Sequence, residues 1–369
     1  MATNKNQHFV PRCYLKAFSN DGAGLALNLF NLDRRRLIQN APLRYQCSKD
    51  YFYGEDQKLE NAIQFTEGTY GTVIKEIFSS GYKFTSDHKQ FLKLFWLMQY
   101  LRTESASRRQ VEMFEGMKST VGDLPEEFVP SIKEAVLQAM HVFATEMDVV
   151  SDLKACLIKN KSKVPFVTSD DPAIMANRWH QSDDRAIGMG FGLGASGFLG
   201  FLPLSENILF LAYDGDVYSI PNTEGWVICK SDSDVRAFNQ FQYFNCRANV
   251  FVRNAESENE VASSLEKSMP HRPPTRHRIN YAVLDSTEGE YKKYVVISPD
   301  EAESHTEALI HMQQIFPVPP RWPSQIKWRS KGAVYTNGTG VGYIRRHQAL
   351  ERQSHRDFWS EPVKMKRKA

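Results

Sequence analysis

The chain has few cysteines, and none of them stands in a redox or metal-binding pattern. Its 369 residues contain five, at positions 13, 47, 156, 229 and 246, with no Cys-x-x-Cys pair. An odd number of scattered cysteines argues against a disulfide framework, and the missing pair argues against a thiolate zinc site. The expected state is reduced thiols in a cytoplasmic protein.

Long apolar runs and a strong charge of one sign are also absent. The chain has no run of about eighteen apolar residues, so no membrane span is expected. The first residues lack the apolar core of a signal peptide. A net charge of +3 is too small to indicate nucleic-acid binding by itself. With 41% hydrophobic and 12% aromatic residues, the composition predicts a globular protein with a ring-rich core.

Apolar periodicity predicts several helices and strands. Residues 25–32 alternate apolar and polar side chains, which is typical of a half-buried strand, and a return strand begins at Leu37. Apolar side chains at spacings of three and four predict helices over 56–78, 87–112, 126–149 and 232–249. A hairpin is predicted over 279–298.

These elements predict an α+β fold: a mixed sheet with a helical central region and a basic C-terminal tail. We expect a core domain over residues 1–254, an extension with a β-hairpin over 255–315, and a proline-rich break and tail over 316–369. From position 345 onward the chain has eight Lys or Arg against three Asp or Glu. A loosely structured, solvated terminus is expected there, and contact with phosphate or an acidic partner is the alternative.

A polar cluster near the N-terminus is the first candidate site. Residues 7–18 carry the polar side chains of His8, Arg12, Tyr14 and Lys16. Pro11 suits the first position of a short helix, where its missing N–H costs nothing. His8 as a base and Arg12 or Lys16 as phosphate ligands can hydrolyse a phosphodiester without a metal. The alternative is that His8 and Tyr14 pack in the core and the cations are surface groups.

An acidic segment at a predicted strand end is the second candidate site. Asp170 and Asp171 can bind a divalent metal, with Glu60 or Glu67 from the first long helix. The alternative is a cap, in which Asp171 before Pro172 satisfies free N–H groups and Ser169 closes the turn. Capping leaves Asp170 unexplained. We therefore predict that Asp170 is catalytic and that Ser169 and Asp171 bind the ligand.

Two further features of the sequence have alternative interpretations. The glycines between 188 and 200 match neither a phosphate-binding loop nor a dinucleotide fingerprint, so a loop or thin strand is expected. Arg102 follows an apolar helix and can point toward His8, or it can pair outside with Glu104 and Glu112. The exposed position is the default for arginine. Tyr14, Lys16 and Arg102 complete the predicted binding residues.

Four segments, in this order and spacing, resemble one family. They are residues 7–16, 165–172, 201–205 and 239–248. The resemblance is to DUF4238, a mainly bacterial family of unknown function, over about residues 7–252. It implies an intracellular protein but supplies no catalytic residues.

Two classes of function remain open. The first is a nucleic-acid-directed hydrolase that uses His8, Arg12 and Asp170 on RNA or DNA, as a nuclease-like effector of bacterial conflict or phage defence. A divalent metal is a possible cofactor. The second is a non-enzymatic sensor module that binds a ligand or a protein partner. Both are expected to act in the cytoplasm without a membrane. The enzymatic hypothesis requires His8 and Asp170 to line one hollow.

Overall fold

The computed structural model describes residues 5–122, 124–289, 291–298, 307–352 and 356–364. Over these residues the chain forms eight α-helices: α1 Arg12–Leu15, α2 Gln57–Ile77, α3 Ser86–Arg102, α4 Glu104–Val121, α5 Ile132–Thr145, α6 Asp232–Asn245, α7 Glu258–Ser268 and α8 Arg346–Glu351. None of the helices among the described residues combines the length and apolarity that crossing a bilayer requires.

The strands of the described residues are short and belong to several sheets. They are β1 Asn6–His8, β2 Ala26–Asn31, β3 Arg36–Pro42, β4 Ser48–Asp50, β5 Lys154–Asn160, β6 Thr168–Ser169, β7 Ile174–Asn177, β8 Phe198–Ser205, β9 Ile208–Tyr213, β10 Tyr218–Ser219, β11 Trp226–Cys229, β12 Asn249–Val252, β13 His277–Glu288, β14 Tyr291–Ile297, β15 Ala308–Gln314, β16 Lys327–Trp328, β17 Ala333–Thr336 and β18 Trp359–Pro362. With the helices they give the α+β fold that the sequence predicts.

A five-stranded mixed sheet forms the centre of the molecule. Its strand order is β11-β5-β9-β8-β7, with β11 parallel to β5 and the other neighbours antiparallel. Both faces are covered, because alternate residues of β9 enter different cores: Phe210 packs with Phe95 of α3, whereas Leu211 packs with Phe238 of α6. A second sheet has the order β3-β2-β12-β6 and joins the beginning of the chain to its middle.

Several predicted elements are confirmed. The first long helix occupies Gln57–Ile77, and the Asp56 side chain caps it by accepting from the N–H groups of Lys58 and Leu59. The predicted hairpins appear as β2–β3 and β13–β14. The helix predicted over 126–149 is shorter, Ile132–Thr145, because a capping box at Ser131 starts it.

The single helix predicted over 87–112 is wrong. The chain breaks at Thr103, whose backbone is extended (φ −72°, ψ 155°), and α4 begins at Glu104. The Thr103 hydroxyl accepts from the Ala106 N–H and so starts the new helix. The helix predicted over 232–249 ends at Asn245, and three residues outside any helix or strand precede β12, which begins at Asn249.

The C-terminal segment is more ordered than the loosely structured tail that its charge suggests. β17 pairs with β18, and Arg345 is buried against Asp152. The basic residues Lys366, Arg367 and Lys368 lie outside the described residues. The segment after the proline-rich break therefore packs on the rest of the protein.

Candidate functional site

Tyr14 joins three of the segments that carry the family resemblance. Its ring is fully buried, and its hydroxyl lies 2.7 Å from the Thr168 hydroxyl and donates to the Pro203 carbonyl, also at 2.7 Å. Burial raises the pKa of Tyr14 far above its ordinary value. Tyr14 is therefore a core residue that ties the N-terminal segment to β6 and β8, and its ring is not placed to receive a ligand.

His8 and Arg12 lie at the surface end of the N-terminal cluster, where Arg12 is exposed and His8 is partly exposed. β1 pairs with β4, which places His8 opposite Ser48, while Pro11 precedes α1 and Arg12 is its first residue. The His8 ring is half-buried, and its Nε2 atom is shielded from water without a partner among the described residues. Arg12 is exposed and makes no ion pair with any described residue. Two of the three predicted catalytic groups, His8 and Arg12, are therefore close enough for the charge of Arg12 to act on the His8 ring.

Lys16 is exposed one turn further along the chain. Its aliphatic part packs against Gly24, and within the described part of the chain its ammonium group makes no ion pair. Lys16 is thus exposed to solvent, and its role in binding a phosphate remains a prediction.

The exposed position assumed by default for Arg102 is wrong. Its side chain is fully buried, and Nη2 donates to Glu67 at 2.7 Å and to the His8 carbonyl at 2.9 Å. Nε donates to the Phe9 carbonyl at 3.2 Å. Arg102 therefore lies under His8 and fixes its backbone, as the other hypothesis required. Its partner is Glu67, neither Glu104 nor Glu112.

The surroundings of His8 keep its ring neutral. Burial, followed by the charges of Arg12 and Arg102, lowers the pKa of His8 to about 4 from an ordinary value of 6.5. At neutral pH the imidazole is therefore unprotonated and can accept a proton. The neighbouring Cys13 has its pKa raised to about 12, chiefly by burial, so its thiol is not a nucleophile.

Asp170 is used by the backbone. Its two carboxylate oxygens accept from three consecutive N–H groups, those of Arg247, Ala248 and Asn249, at 2.8 to 2.9 Å. Burial raises its pKa to about 6, although these bonds act in the opposite direction. The carboxylate thus closes the turn between α6 and β12, which accounts for the residue that capping left unexplained. A catalytic role for Asp170 remains a prediction.

Asp171 and Ser169 are also held inside the protein. Asp171 accepts from the Thr103 hydroxyl at 2.7 Å and from Arg109 at 2.5 Å, and it is fully buried. The Ser169 hydroxyl donates to Gln242 of α6 at 2.7 Å. The predicted cap on a helix after Pro172 does not form, because residues 174–177 are strand β7. Both side chains brace α4 and α6 against β6.

A cluster around Glu104 escaped the sequence analysis. Glu104 pairs with Lys49 and Arg108 at 2.8 Å and with Arg247 at 2.9 Å. Burial acts to raise its pKa, but the three cations hold it below the ordinary value. Lys49 lies opposite Gln7, next to His8 in the β1–β4 ladder. Three partly exposed cations around one carboxylate therefore form a positive surface at the β1–β4 ladder, on the face of Gln7 and not on that of His8.

The acidic residues do not assemble a metal site. Over the described ranges, no group of three His, Cys, Asp or Glu side chains is arranged to hold a metal ion. Glu67 is paired with Arg102, Glu60 accepts from Gln64, and both oxygens of Asp170 are occupied by the backbone. A site built from Asp170 with Glu60 or Glu67 is not present.

A pH dependence of stability follows from the environment of His8. As the pH falls from about 6.5 toward 4, the unfolded chain gains a proton at His8 that the folded protein does not bind, so stability is lost. We expect the loss between pH 7 and pH 5 to be smaller in His8→Gln than in the wild type. The difference should be on the order of 1 kcal/mol, allowing for solvent screening at a half-buried ring. Urea unfolding at both pH values measures it.

The comparison isolates His8 from an opposing group. Because the pKa of Asp170 is raised to about 6, the folded protein binds a proton there between about pH 4 and 6 that the unfolded chain does not, and Asp170 therefore adds stability as the pH falls. This effect of Asp170 is the same in His8→Gln and in the wild type, so it cancels in the difference between them. The exposed His141 provides a matched control, His141→Gln, that should behave as the wild type. An identical pH dependence in His8→Gln and the wild type would contradict the placement of His8.

Comparison with known proteins gives a family but no activity. A family model described as "Protein of unknown function (DUF4238)" matches residues 6–256. No curated protein and no solved structure matches significantly. The matched range agrees with the segments that carry the resemblance, and the C-terminal part of the chain lies outside it.

Proposed function

Because the chain belongs to the DUF4238 family, which has no described activity, we propose from the geometry that it is a nucleic-acid-directed hydrolase acting at His8 and Arg12. The observation that carries the proposal is a neutral imidazole whose Nε2 has no hydrogen-bond partner among the described residues, beside an exposed guanidinium that pairs with no described carboxylate. The earlier hypothesis also required Asp170 to line one hollow with His8. We leave Asp170 out of the proposed reaction because its carboxylate is buried and bound by three backbone N–H groups.

The proposed chemistry is hydrolysis of a phosphodiester without a metal. Arg12 binds the phosphate oxygens, and His8 accepts the proton of the attacking water as its oxygen forms a bond to phosphorus. The bond between phosphorus and the leaving oxygen breaks, and that oxygen takes a proton from the imidazolium. A bound phosphate also offsets the charges of Arg12 and Arg102, which raises the pKa of His8 toward neutrality, where a base works best.

The charge around the site supports a nucleic acid as the substrate. Lys49, Arg108 and Arg247 surround Glu104, so this cluster adds an excess of two positive charges at the other face of the β1–β4 ladder to the charge of Arg12. Several phosphates of one strand can be contacted by such a surface, and single-stranded RNA or DNA follows it most easily. A cytoplasmic location and a role in bacterial conflict or phage defence belong to this proposal.

One observation favours a second function, a non-enzymatic binding module. The Nε2 atom of His8 is shielded from water, so reaction there requires the ring or its cover to move. In the second function the same cations hold a nucleic acid, another ligand or an acidic protein, and the buried network of Arg102 and Asp171 only keeps the surface rigid.

Two variants separate these functions. Arg12→Gln is expected to weaken binding of single-stranded RNA or DNA and to reduce the salt slope by about one phosphate contact. His8→Gln should keep the affinity within about twofold but lower the cleavage rate by about 10²-fold or more. Affinity is measured by fluorescence anisotropy at 50 and 200 mM salt, between which the Debye length falls by about half. Cleavage is measured on denaturing gels.

A matched control tests whether the effect is local. Arg34 is exposed in the turn of the β2–β3 hairpin, at the end away from α1. Arg34→Gln removes the same charge and should leave affinity and cleavage unchanged. Binding without cleavage by the wild type would select the binding module. Absence of RNA and DNA binding, or cleavage that survives in His8→Gln, would contradict the hydrolase.

A further inference from the structure

A second pocket lies where the segment matched by the family model contacts the C-terminal extension. It is a pocket of ≈ 230 Å³, and its walls include His180, Gln181, Phe191, Arg278, Phe316 and Val318. We call it the His180 pocket. The first three residues come from the loop between β7 and β8, whereas the others come from β13 and the segment after β15. It contains none of the residues of the N-terminal site.

The inner end of the His180 pocket holds buried polar atoms whose hydrogen bonding is incomplete, since the His180 ring has only a poorly aligned contact with the Ala186 backbone. His180 is 4% exposed, and neither of its ring nitrogens has a hydrogen-bond partner of normal geometry among the described residues. Its backbone is fixed, because its N–H donates to Asn177 at 3.0 Å. The Gln181 amide group donates to the Pro317 carbonyl at 2.9 Å, while its oxygen is unpartnered within the same described set.

Unpartnered buried groups of this kind are costly unless a ligand or water satisfies them. Burial lowers the pKa of His180 to about 4, so the ring is neutral at pH 7. A neutral imidazole presents one donor and one acceptor, and the Gln181 oxygen adds an acceptor. All three atoms are shielded from water, so the ring and the amide must turn toward the pocket before they can contact a ligand. Once turned, they match a ligand edge that carries both donors and acceptors.

The walls and the mouth of the pocket define the rest of the ligand. Phe191 stacks on Phe316 at 4.0 Å and lies 5.2 Å from the His180 ring, which gives apolar, ring-lined walls. Arg278 is exposed at the pocket and pairs with no carboxylate of the described chain. No Asp or Glu is among the described residues that line the pocket. An anionic group is therefore favoured at Arg278.

We propose that the His180 pocket binds a mononucleotide, with the edge of the base at His180 and Gln181 and the phosphate at Arg278. A planar base carries donors and acceptors on one edge and apolar faces, and its phosphate supplies the anion. The volume lies just under the range of small-ligand pockets, roughly 300–1,000 Å³, so one base with its phosphate at the open side fits better than a dinucleotide. This proposal does not rest on the hydrolase.

The test uses the full chain and the four nucleoside 5′-monophosphates AMP, GMP, CMP and UMP as probes, by isothermal titration calorimetry. At least one is expected to bind saturably, with the matching nucleoside and ribose 5-phosphate each about tenfold weaker. His180→Phe and Arg278→Gln should each weaken that nucleotide by about tenfold or more. His180→Phe keeps an aromatic ring and removes unsatisfied polar atoms, so it should melt no lower than the wild type.

The controls separate this site from the N-terminal one. Arg34→Gln should leave nucleotide binding unchanged, and so should His8→Gln even if it abolishes cleavage. Failure of all four nucleotides to bind would overturn the proposal. So would equal binding of ribose 5-phosphate, or an affinity that neither His180→Phe nor Arg278→Gln alters. Because Arg278 is exposed, its variant tests the pocket even if His180→Phe does not fold.

Discussion

Arg102→Met is expected to lower the free energy of unfolding by about 3 kcal/mol, because it breaks a buried ion pair from one side. The guanidinium is fully buried and serves Glu67 and the carbonyls of His8 and Phe9. Methionine fills much of the space but donates no hydrogen bond, so these acceptors lose their partner. Urea unfolding at pH 7 measures the change.

The partner and a neighbour provide the controls for this prediction. In the double variant Arg102→Met with Glu67→Leu, the uncompensated carboxylate is gone, and part of the lost stability should return. Arg108→Met removes a partly exposed arginine from α4, and since Lys49 and Arg247 still neutralise Glu104, its cost should stay below about 1 kcal/mol. Equal effects of the Arg102 and Arg108 substitutions would contradict the burial of Arg102.

Arg345→Met is expected to have an effect of similar size, about 3 kcal/mol, although it lies outside the family segment. The side chain is 1% exposed, pairs with Asp152 at 2.9 Å and donates to the carbonyls of Val149 and Leu193. These acceptors belong to the loop before β5 and the loop before β8. Losing Arg345 therefore loosens the attachment of the C-terminal segment, which limited proteolysis should report together with urea unfolding.

The adjacent residue is the matched control. Arg346 is exposed at the start of α8, and Arg346→Met should change the free energy of unfolding by less than about 0.5 kcal/mol. If the two substitutions had the same small effect, the C-terminal segment would be the solvated tail that its composition suggests.

Local patterns in the sequence predicted local structure well. The apolar spacing of α2 and the alternating pattern of β2 each lie within one short stretch of sequence, so these elements could be placed from the sequence alone. The break at Thr103 was missed because the apolar pattern continues up to Leu101. α3 ends because the backbone of Thr103 is extended. The Thr103 hydroxyl donates to Asp171, which is 68 residues further along the chain, so no local pattern records this contact.

The candidate site depended on contacts that no local pattern records. Arg102 is buried because Glu67 compensates it from another helix, and a charged residue without a visible partner is by default placed outside. Asp170 appeared free because its donors are backbone groups more than 70 residues away. The His180 pocket could not be anticipated either, since its two halves come from the family segment and from the extension.

The sheet that pairs β2 with β12 has a consequence for synthesis on the ribosome. Asn31 meets Asn249 across 218 residues, and β12 separates β2 from β6. At about 5–20 residues per second, translation leaves the first hairpin without its neighbour for roughly 10–40 s. During that interval β2 is an unpaired apolar edge, which nascent-chain chaperones bind and which invites aggregation at high expression. A lower growth temperature and co-expression of chaperones should therefore raise the yield of folded protein.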